Sequence, residues 1–135
     1  MLPDKLLEEA VQFHGHLGPF LILGLRAGLL GIEYLGKDYF ELKAKVGTAL
    51  HPPRSCFIDG IQFASGCTAG KGNLETHVGD DVSVEFVRND RRISVVVRND
   101  VLKTLDQITS EKQAETIGRE ILQKTDEELF LIRRD

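Results

Sequence analysis

The chain has 135 residues, of which 41% are hydrophobic and 28% are charged, so it is long and apolar enough to bury the core of one globular domain. Its 17 basic and 21 acidic side chains give a formal net charge of −4, which argues against a general affinity for nucleic acid or for anionic membranes. Two cysteines do not make a disulfide framework, and the first residues do not predict a secretory segment. We therefore expect a cytoplasmic protein with reduced thiols.

The first part of the chain predicts two helices joined by a turn. Residues 4–13 carry apolar side chains at helical spacing, and the turn follows in residues 14–19, which contain two glycines and a proline. Pro19 suits the first turn of a second helix, and Gly36 suits its end. This second helix is apolar on nearly every side, which predicts burial. It is too short for a confident membrane span.

Small residues follow one side of the second helix, at Gly24, Ala27, Gly28 and Gly31. Glycine weakens a helix by about 1 kcal/mol relative to alanine, so its repeated use predicts that another helix packs very closely here. The sequence leaves open whether that helix belongs to the same chain or to a second copy.

The remaining elements predict an α+β fold in a single domain, 1–135, with helices before and after a small sheet. Alternating apolar residues predict a strand over 40–46, and Ser55 is expected to cap a helix over 56–64 that ends at Gly66. The later segments are a loop over 68–73, strands over 82–87 and 93–97, helices over 101–108 and 111–124 (the second capped by Ser110), and a short helix or strand over 126–134.

Two histidines and one cysteine are the first candidates for chemistry. His14 and His16 stand two residues apart in the predicted turn, where neutral imidazoles serve as metal ligands or as a structural pair at a helix junction. Cys56 is expected at the first position of its helix, where the helix N-terminus favours the thiolate. The alternative for Cys56 is an inert, buried thiol.

Asp59 and Cys67 extend this candidate site. Asp59 follows Cys56 by three residues, hence on the same helix face, where it is a ligand, a partner that orients a histidine, a general base or a group that stabilises the helix terminus. Cys67 comes eleven residues after Cys56, and a straight helix would separate the two by about 16 Å. A shared metal would then need a helix break near Gly60 or Gly66, or a thiol from a second subunit.

The segment 66–73 is rich in glycine and resembles a phosphate-binding loop. It departs from the Walker pattern, because Gly72 rather than Ser or Thr follows Lys71. Its amide groups remain candidates for holding an anion, with Lys71 as the countercharge, while the alternative is a tight turn. His51 and His77 lie in predicted loops and are expected to be surface histidines.

Three segments together resemble the FmdE family, which is named for the E subunit of molybdenum formylmethanofuran dehydrogenase. They are His14-Gly15-His16-Leu17-Gly18-Pro19, Cys56-Phe57-Ile58-Asp59 and Gly66 to Leu74. The resemblance implies a mixed sheet flanked by helices with a thioredoxin-like arrangement, an active site that can hold zinc, and dimer formation. In many relatives a cysteine stands where this chain has Gly18, and many carry a cysteine-rich zinc finger after the core, which is not expected here.

We therefore expect a metal-binding protein of formylmethanofuran dehydrogenase or related anaerobic one-carbon metabolism. Zinc is the expected ion and iron the alternative, with His14, His16, Cys56 and Cys67 as the candidate ligands. The candidate catalytic residues are Cys56, Asp59 and Lys71, and the candidate residues for binding a small anionic substrate or cofactor group are Thr68, Gly70, Lys71 and Asn73. The alternatives are a non-catalytic subunit for metal delivery or for molybdenum- or tungsten-enzyme assembly, and a thiol-transfer protein.

Overall fold

The computed structural model describes residues 2–135, which form six α-helices, five β-strands and one 3-10 turn (Ala69–Lys71). The helices are α1 (Asp4–His14), α2 (Pro19–Leu35), α3 (Cys56–Ser65), α4 (Asn99–Asp106), α5 (Glu111–Leu122) and α6 (Asp126–Leu129). The strands are β1 (Lys43–Thr48), β2 (Leu74–Val78), β3 (Ser83–Arg88), β4 (Arg91–Val97) and β5 (Phe130–Arg134). The predicted α+β class is confirmed.

The five strands form one mixed sheet in the order β2-β1-β3-β4-β5. Strands β1 and β2 are parallel and are joined through α3, whereas the other neighbours are antiparallel. On the inner face, Val46 pairs with Val84 and Val84 pairs with Val95, and all three are buried. Because side chains alternate between the two faces of a sheet, this register places a continuous apolar row against the helices.

Two features of the sheet differ from the sequence-based expectation. The strand predicted over 40–46 begins later, at Lys43, because the Asp38 carboxylate accepts hydrogen bonds from the amides of Phe40 and Glu41 and so favours a turn there. Phe40 is consequently 73% exposed. Strand β2 was not predicted: four of its five residues are exposed, so its sequence lacks the alternation that identifies a half-buried strand.

Helices α2 and α3 pack with their backbones in contact. A Cβ atom at Gly24 would lie 2.2 Å from the carbonyl oxygen of Phe57, and one at Gly60 would lie 2.4 Å from the carbonyl oxygen of Leu21. A Cβ atom at Gly28 would lie 2.8 Å from the Cβ atom of Ala64. For Gly24 and Gly28 the close partner is therefore a helix of the same chain, whereas Gly31 makes room for the Phe86 ring on β3. The α2–α3 crossing fixes the start of α3 against the start of α2.

A buried arginine joins α2 to the C-terminal part of the fold. Arg26 is 6% exposed and donates hydrogen bonds to the carbonyl oxygens of Ile121 (3.2 Å) and Lys124 (2.8 Å), and to Asp126 Oδ1 (2.9 Å). Its guanidinium thus ties α2 to backbone carbonyl groups at and just beyond the end of α5 and to the start of α6. Across residues 2–135, no helix combines the length and the apolar character needed to cross a membrane.

Candidate metal centre

Three chain segments converge where α1 ends and where α2 and α3 begin. Helix α1 ends at His14, and Gly15 caps it: the φ of Gly15, 111°, lies in the left-handed region that glycine adopts readily, and the Gly15 amide donates to the Val11 carbonyl oxygen. Pro19 begins α2. His14 and His16 therefore flank a sharp reversal of the chain, and the α2–α3 crossing brings Cys56 towards them.

Three of the four predicted metal ligands lie together in the structure. The ligand atoms of His14, His16 and Cys56 are all within 4.8 Å of one another, and the two imidazole rings have a centroid separation of 4.7 Å. Two imidazole nitrogens and one sulfur form a donor set that suits zinc, and three protein ligands leave a fourth position for water or substrate. The spacing of the three donors therefore fits a small metal ion after a slight contraction.

Asp59 orients His14 within this cluster. Nδ1 of His14 lies 2.6 Å from Oδ2 of Asp59, so in the neutral imidazole Nδ1–H donates to the carboxylate. This tautomer leaves Nε2 as an acceptor, and Nε2 is buried without a hydrogen-bond partner among residues 2–135. Since buried polar atoms in folded proteins are almost always satisfied, this nitrogen indicates a missing partner. A metal-bound histidine that donates to a carboxylate has this arrangement.

Cys56 does not have the environment that its sequence position predicts. Ser55 has helical torsion angles, and within the described residues its side chain forms no cap for α3. A helical turn precedes Cys56, whose amide donates to the Pro53 carbonyl oxygen. Burial, and secondly the negative charge of Asp59, raises the pKa of the Cys56 thiol above its usual value. The backbone hydrogen bond at the helix terminus does lower the pKa of this thiol, as expected, but burial and Asp59 outweigh it, so a bound cation would be needed to favour the thiolate here.

Cys67 lies apart from the cluster. Helix α3 runs without a break from Cys56 to Ser65, so the two sulfurs are separated by about 15 Å of helix. Cys67 is fully buried, and its thiol donates to the carbonyl oxygen of Leu42 at 3.4 Å. The break that a shared site would need, near Gly60, is absent from the part of the chain that the structure describes, and Gly66 ends the helix instead. Within one chain, Cys67 packs as part of the core.

The glycine-rich loop also lies at the far end of α3. Lys71 Nζ donates to the carbonyl oxygen of Gly66 (2.5 Å) and to Thr68 Oγ1 (3.0 Å). Asn73 is buried, accepts the Thr68 amide through Oδ1 (2.9 Å), and donates to backbone carbonyl groups. A side chain on Gly70 would meet open space. These residues hold the loop against the end of α3, and they do not line the His14–His16–Cys56 cluster.

Gly18 and the two other histidines complete the predicted set. A Cβ atom on Gly18 would lie 3.0 Å from Cε1 of His16, so glycine here lets the His16 ring stand over the turn. His51 is exposed and lies near the Pro52 carbonyl oxygen. His77 is exposed on β2, where its ring covers Gly47 of β1. Neither joins the cluster.

A cavity of about 330 Å³ opens beside the cluster. His16, Gly18 and Cys56 line it together with residues of α4, of α5 and of the segment between them. These later residues are Leu105, Asp106, Ile108 and Ala114. These four residues were not predicted to border a site, since the amphipathic pattern of α4 and α5 indicates a packing face and gives no sign that part of this face lines a cavity.

The two thiols should differ sharply in reactivity. In the native, metal-free protein we expect iodoacetamide to modify Cys56, which is partly exposed, and to spare Cys67, which is fully buried. Mass spectrometry of the digested protein measures the extent of modification at each site. Equal modification of both cysteines under native conditions would contradict the placement of Cys67 in the core, and the urea-unfolded chain provides the reference in which both react.

Comparison with known proteins identifies the family to which this α+β fold with its His-x-His turn belongs. Residues 13–131 match the family model described as FmdE, molybdenum formylmethanofuran dehydrogenase operon. This match covers most of the chain, so the chain belongs to the FmdE family.

Two individual proteins are also similar to this chain. A solved structure from Syntrophus aciditrophicus, of a protein like the E subunit (FmdE) of tungsten formylmethanofuran dehydrogenase, has a TM-score of 0.70 at 18% identity, and the alignment covers 98% of this chain and 71% of that one. At this identity the likeness is one of fold. A probable S-adenosyl-L-methionine-binding protein from Archaeoglobus fulgidus is 40% identical over an alignment of 73 residues that covers 52% of this chain. The match spans only 20% of that longer relative.

Proposed function

We propose that this chain binds one metal ion, zinc or alternatively iron, through His14, His16 and Cys56, and that it works with formylmethanofuran dehydrogenase or in related anaerobic one-carbon metabolism. The main support is the buried, unpartnered Nε2 of His14, whose ring is already oriented by Asp59 through Nδ1. The link to the dehydrogenase rests on the family to which the chain belongs.

The residues of the cluster divide into ligands and a positioning group. His14, His16 and Cys56 would hold the ion, and Asp59 would fix the His14 tautomer and ring direction from behind. When bound, the ion supplies a Lewis acid that polarises a carbonyl group or lowers the pKa of water. The adjoining cavity admits a small ligand to the side of the cluster that His16 and Cys56 share.

Metal content is the test of this proposal. We expect about one zinc or iron per chain in protein purified without oxygen or chelator, and loss of that metal on Cys56→Ser, because the hydroxyl is a poor ligand where the thiolate is a good one. Elemental analysis measures it. Cys67→Ser is the matched control, since the second cysteine lies outside the cluster, and it should retain the metal. A wild-type chain that stays metal-free after reconstitution would rule the proposal out.

Removing the charge of Asp59 should weaken the site without abolishing it. We expect Asp59→Asn to lower metal affinity by about 10- to 100-fold, the usual effect of losing a carboxylate that orders a metal-bound histidine. Competition with a chromophoric chelator measures the dissociation constant. Asp38→Asn is a suitable control, because the partners of that carboxylate are the amides of Phe40 and Glu41 and the Arg88 guanidinium, none of which belongs to the cluster. Equal affinities for the two variants would contradict the role of Asp59.

An accessory role is the second candidate. The relative from Archaeoglobus fulgidus is much longer than this chain, which supports the idea that such a domain works as part of a larger protein or assembly. Stable co-purification with molybdenum- or tungsten-enzyme subunits from native extract would favour this role, whereas a free homodimer would favour an independent enzyme. The thiol-transfer alternative is less well supported, because the pKa of Cys56 is raised and Cys67 lies at the other end of α3.

The assembly that we propose is a cytoplasmic homodimer. Phe13, next to His14 in sequence, is 59% exposed and lies with its ring centroid 5.7 Å from that of Phe63 on α3. An exposed phenylalanine that packs on a half-buried one, next in sequence to a residue of the cluster, is typical of an interface core. Sedimentation of the purified chain measures the oligomeric state, and a monomer at micromolar concentration would argue against this assembly.

A further inference from the structure

We infer that the cavity beside His16 and Cys56 selects a small, uncharged carbonyl compound with an aliphatic chain. This inference rests on the metal-binding function proposed above and names the ligand class of the same site. Two features of the cavity support the inference. Its walls are mostly apolar, and the charges around it disfavour binding of an anionic ligand.

Most side chains that line the cavity are apolar. Phe20 and Leu21 come from α2, Leu105 from α4 and Ala114 from α5. Ile108 lies in the segment between α4 and α5. A volume of about 330 Å³ lies at the small end of the range for ligand sites, which is about 300–1,000 Å³. Burial of each methylene group against such walls contributes about 0.8 kcal/mol, so the aliphatic part of a ligand has a clear preference for this place.

The charges around the cavity do not favour an anion. Among the described residues, its lining contains neither lysine nor arginine. Its one carboxylate, Asp106, is paired with Arg54 at 3.0 and 3.3 Å, and that arginine also donates to the Asp80 carbonyl oxygen at 2.8 Å. Lys71, the cation expected to hold an anionic group, lies at the opposite end of α3. A carboxylate or phosphate entering the cavity would therefore lose its hydration without gaining an ionic partner from the chain.

The ligand set favours an uncharged group at the open position. With a divalent ion bound, the Cys56 thiolate and the Asp59 carboxylate that accepts from His14 would together balance its charge. A carbonyl oxygen adds no charge to this arrangement, whereas an anionic donor would leave the cluster net negative beside apolar walls. His16 and Cys56 both line the cavity, so a carbonyl group that reached the open position would have its aliphatic chain against Phe20, Leu105 and Ala114.

An isosteric pair of probes tests the inference directly. Isovaleramide and isovalerate share one branched chain and differ in charge, and calorimetric titration of the zinc-loaded protein compares their affinities. We expect the amide to bind at least tenfold more tightly than the carboxylate. Acetamide, three carbons shorter, should bind about 50-fold more weakly than isovaleramide, at about 0.8 kcal/mol for each carbon. The alcohol with the same branched chain should bind less tightly than the amide.

A variant that fills the cavity provides a structural control. Ala114→Leu should weaken isovaleramide binding at least tenfold and leave zinc content unchanged, since Ala114 lines the cavity but offers no ligand atom. Lys112→Leu places the same side chain on an exposed position of the same helix and should bind isovaleramide like the wild type. In metal-free protein, isovaleramide should also slow the alkylation of Cys56 more than isovalerate does.

The outcomes separate this inference from the function on which it rests. A zinc-loaded protein that binds isovalerate as tightly as isovaleramide, or in which Ala114→Leu has no effect, overturns the ligand class and leaves the metal function standing. Equal binding of the alcohol and the amide overturns the carbonyl assignment. A protein that takes up no metal overturns both. Preference for the amide, lost in Ala114→Leu and kept in Lys112→Leu, supports the inference.

Discussion

Gly24→Ala should lower the free energy of unfolding by about 3 kcal/mol, although alanine is the better helix former by about 1 kcal/mol. The added Cβ would lie 2.2 Å from the Phe57 carbonyl oxygen and 2.9 Å from the Gly60 Cα, and both are backbone atoms of α3 that no side-chain rotation can move away. The two helices must therefore separate, which opens the core along the whole crossing. Guanidinium unfolding followed by circular dichroism measures the loss.

Gly70→Ala is the matched control for this prediction. A Cβ atom at Gly70 has nothing within 4 Å, so we expect the unfolding free energy to change by no more than about 0.5 kcal/mol. Equal unfolding midpoints for Gly24→Ala and Gly70→Ala would mean that α2 and α3 do not approach as closely as described. Since the crossing positions Cys56 against His14 and His16, a folded Gly24→Ala protein should also bind metal less tightly than the wild type.

Arg26→Met should cost about 3 kcal/mol of stability. The substitution keeps the length of the side chain but removes the guanidinium that donates to Ile121, Lys124 and Asp126. Breaking a buried ion pair costs about 3–5 kcal/mol, and the lower value applies because the Asp126 side chain is 36% exposed and keeps part of its hydration. Thermal or guanidinium unfolding measures the effect.

Arg119→Met provides the comparison for Arg26→Met. Arg119 forms an exposed ion pair with Glu115 one turn earlier on α5, and such pairs contribute about 0.3–0.5 kcal/mol. Arg26→Lys should fall between the two, because lysine keeps the charge but cannot present the planar fork that bonds three acceptors. If Arg26→Met were no less stable than Arg119→Met, the buried guanidinium would not be holding α5 and α6 against α2.

Local sequence patterns were sufficient to predict most helices of the fold. The bounds of α2 follow from Pro19 and Gly36, whose backbone preferences act within one or two residues. The Ser110 side chain caps α5 as expected, accepting from the Gln113 amide at 3.1 Å. The strands were harder to predict from the sequence. The turn at Asp38 shifts the start of β1 to Lys43, and β2 is defined by its backbone pairing with β1 and not by any burial pattern of its own.

The candidate site was only partly predictable for a related reason. Residue type and spacing singled out His14, His16, Cys56 and Asp59, but Cys67 stayed among the candidate ligands on the condition that the helix breaks or that a second subunit supplies one thiol. Its exclusion depends on α3 remaining a continuous helix, which Gly60 permits because that glycine meets α2 instead of breaking the helix. The walls of the cavity come from α4 and α5, some 50 residues later in the chain, and no local signal connects them to the cluster.

The exposed edge strand β2 has a consequence for local unfolding. It is bonded to the sheet on one side only, by β1, and its side chains beyond Leu74 contribute little to the core. Segments with few buried contacts open at a small fraction of the global unfolding free energy, so the amides of β2 should exchange with solvent early. The α2–α3 crossing lies outside that segment. Fluctuations at this edge of the sheet should therefore leave His14, His16 and Cys56 in place.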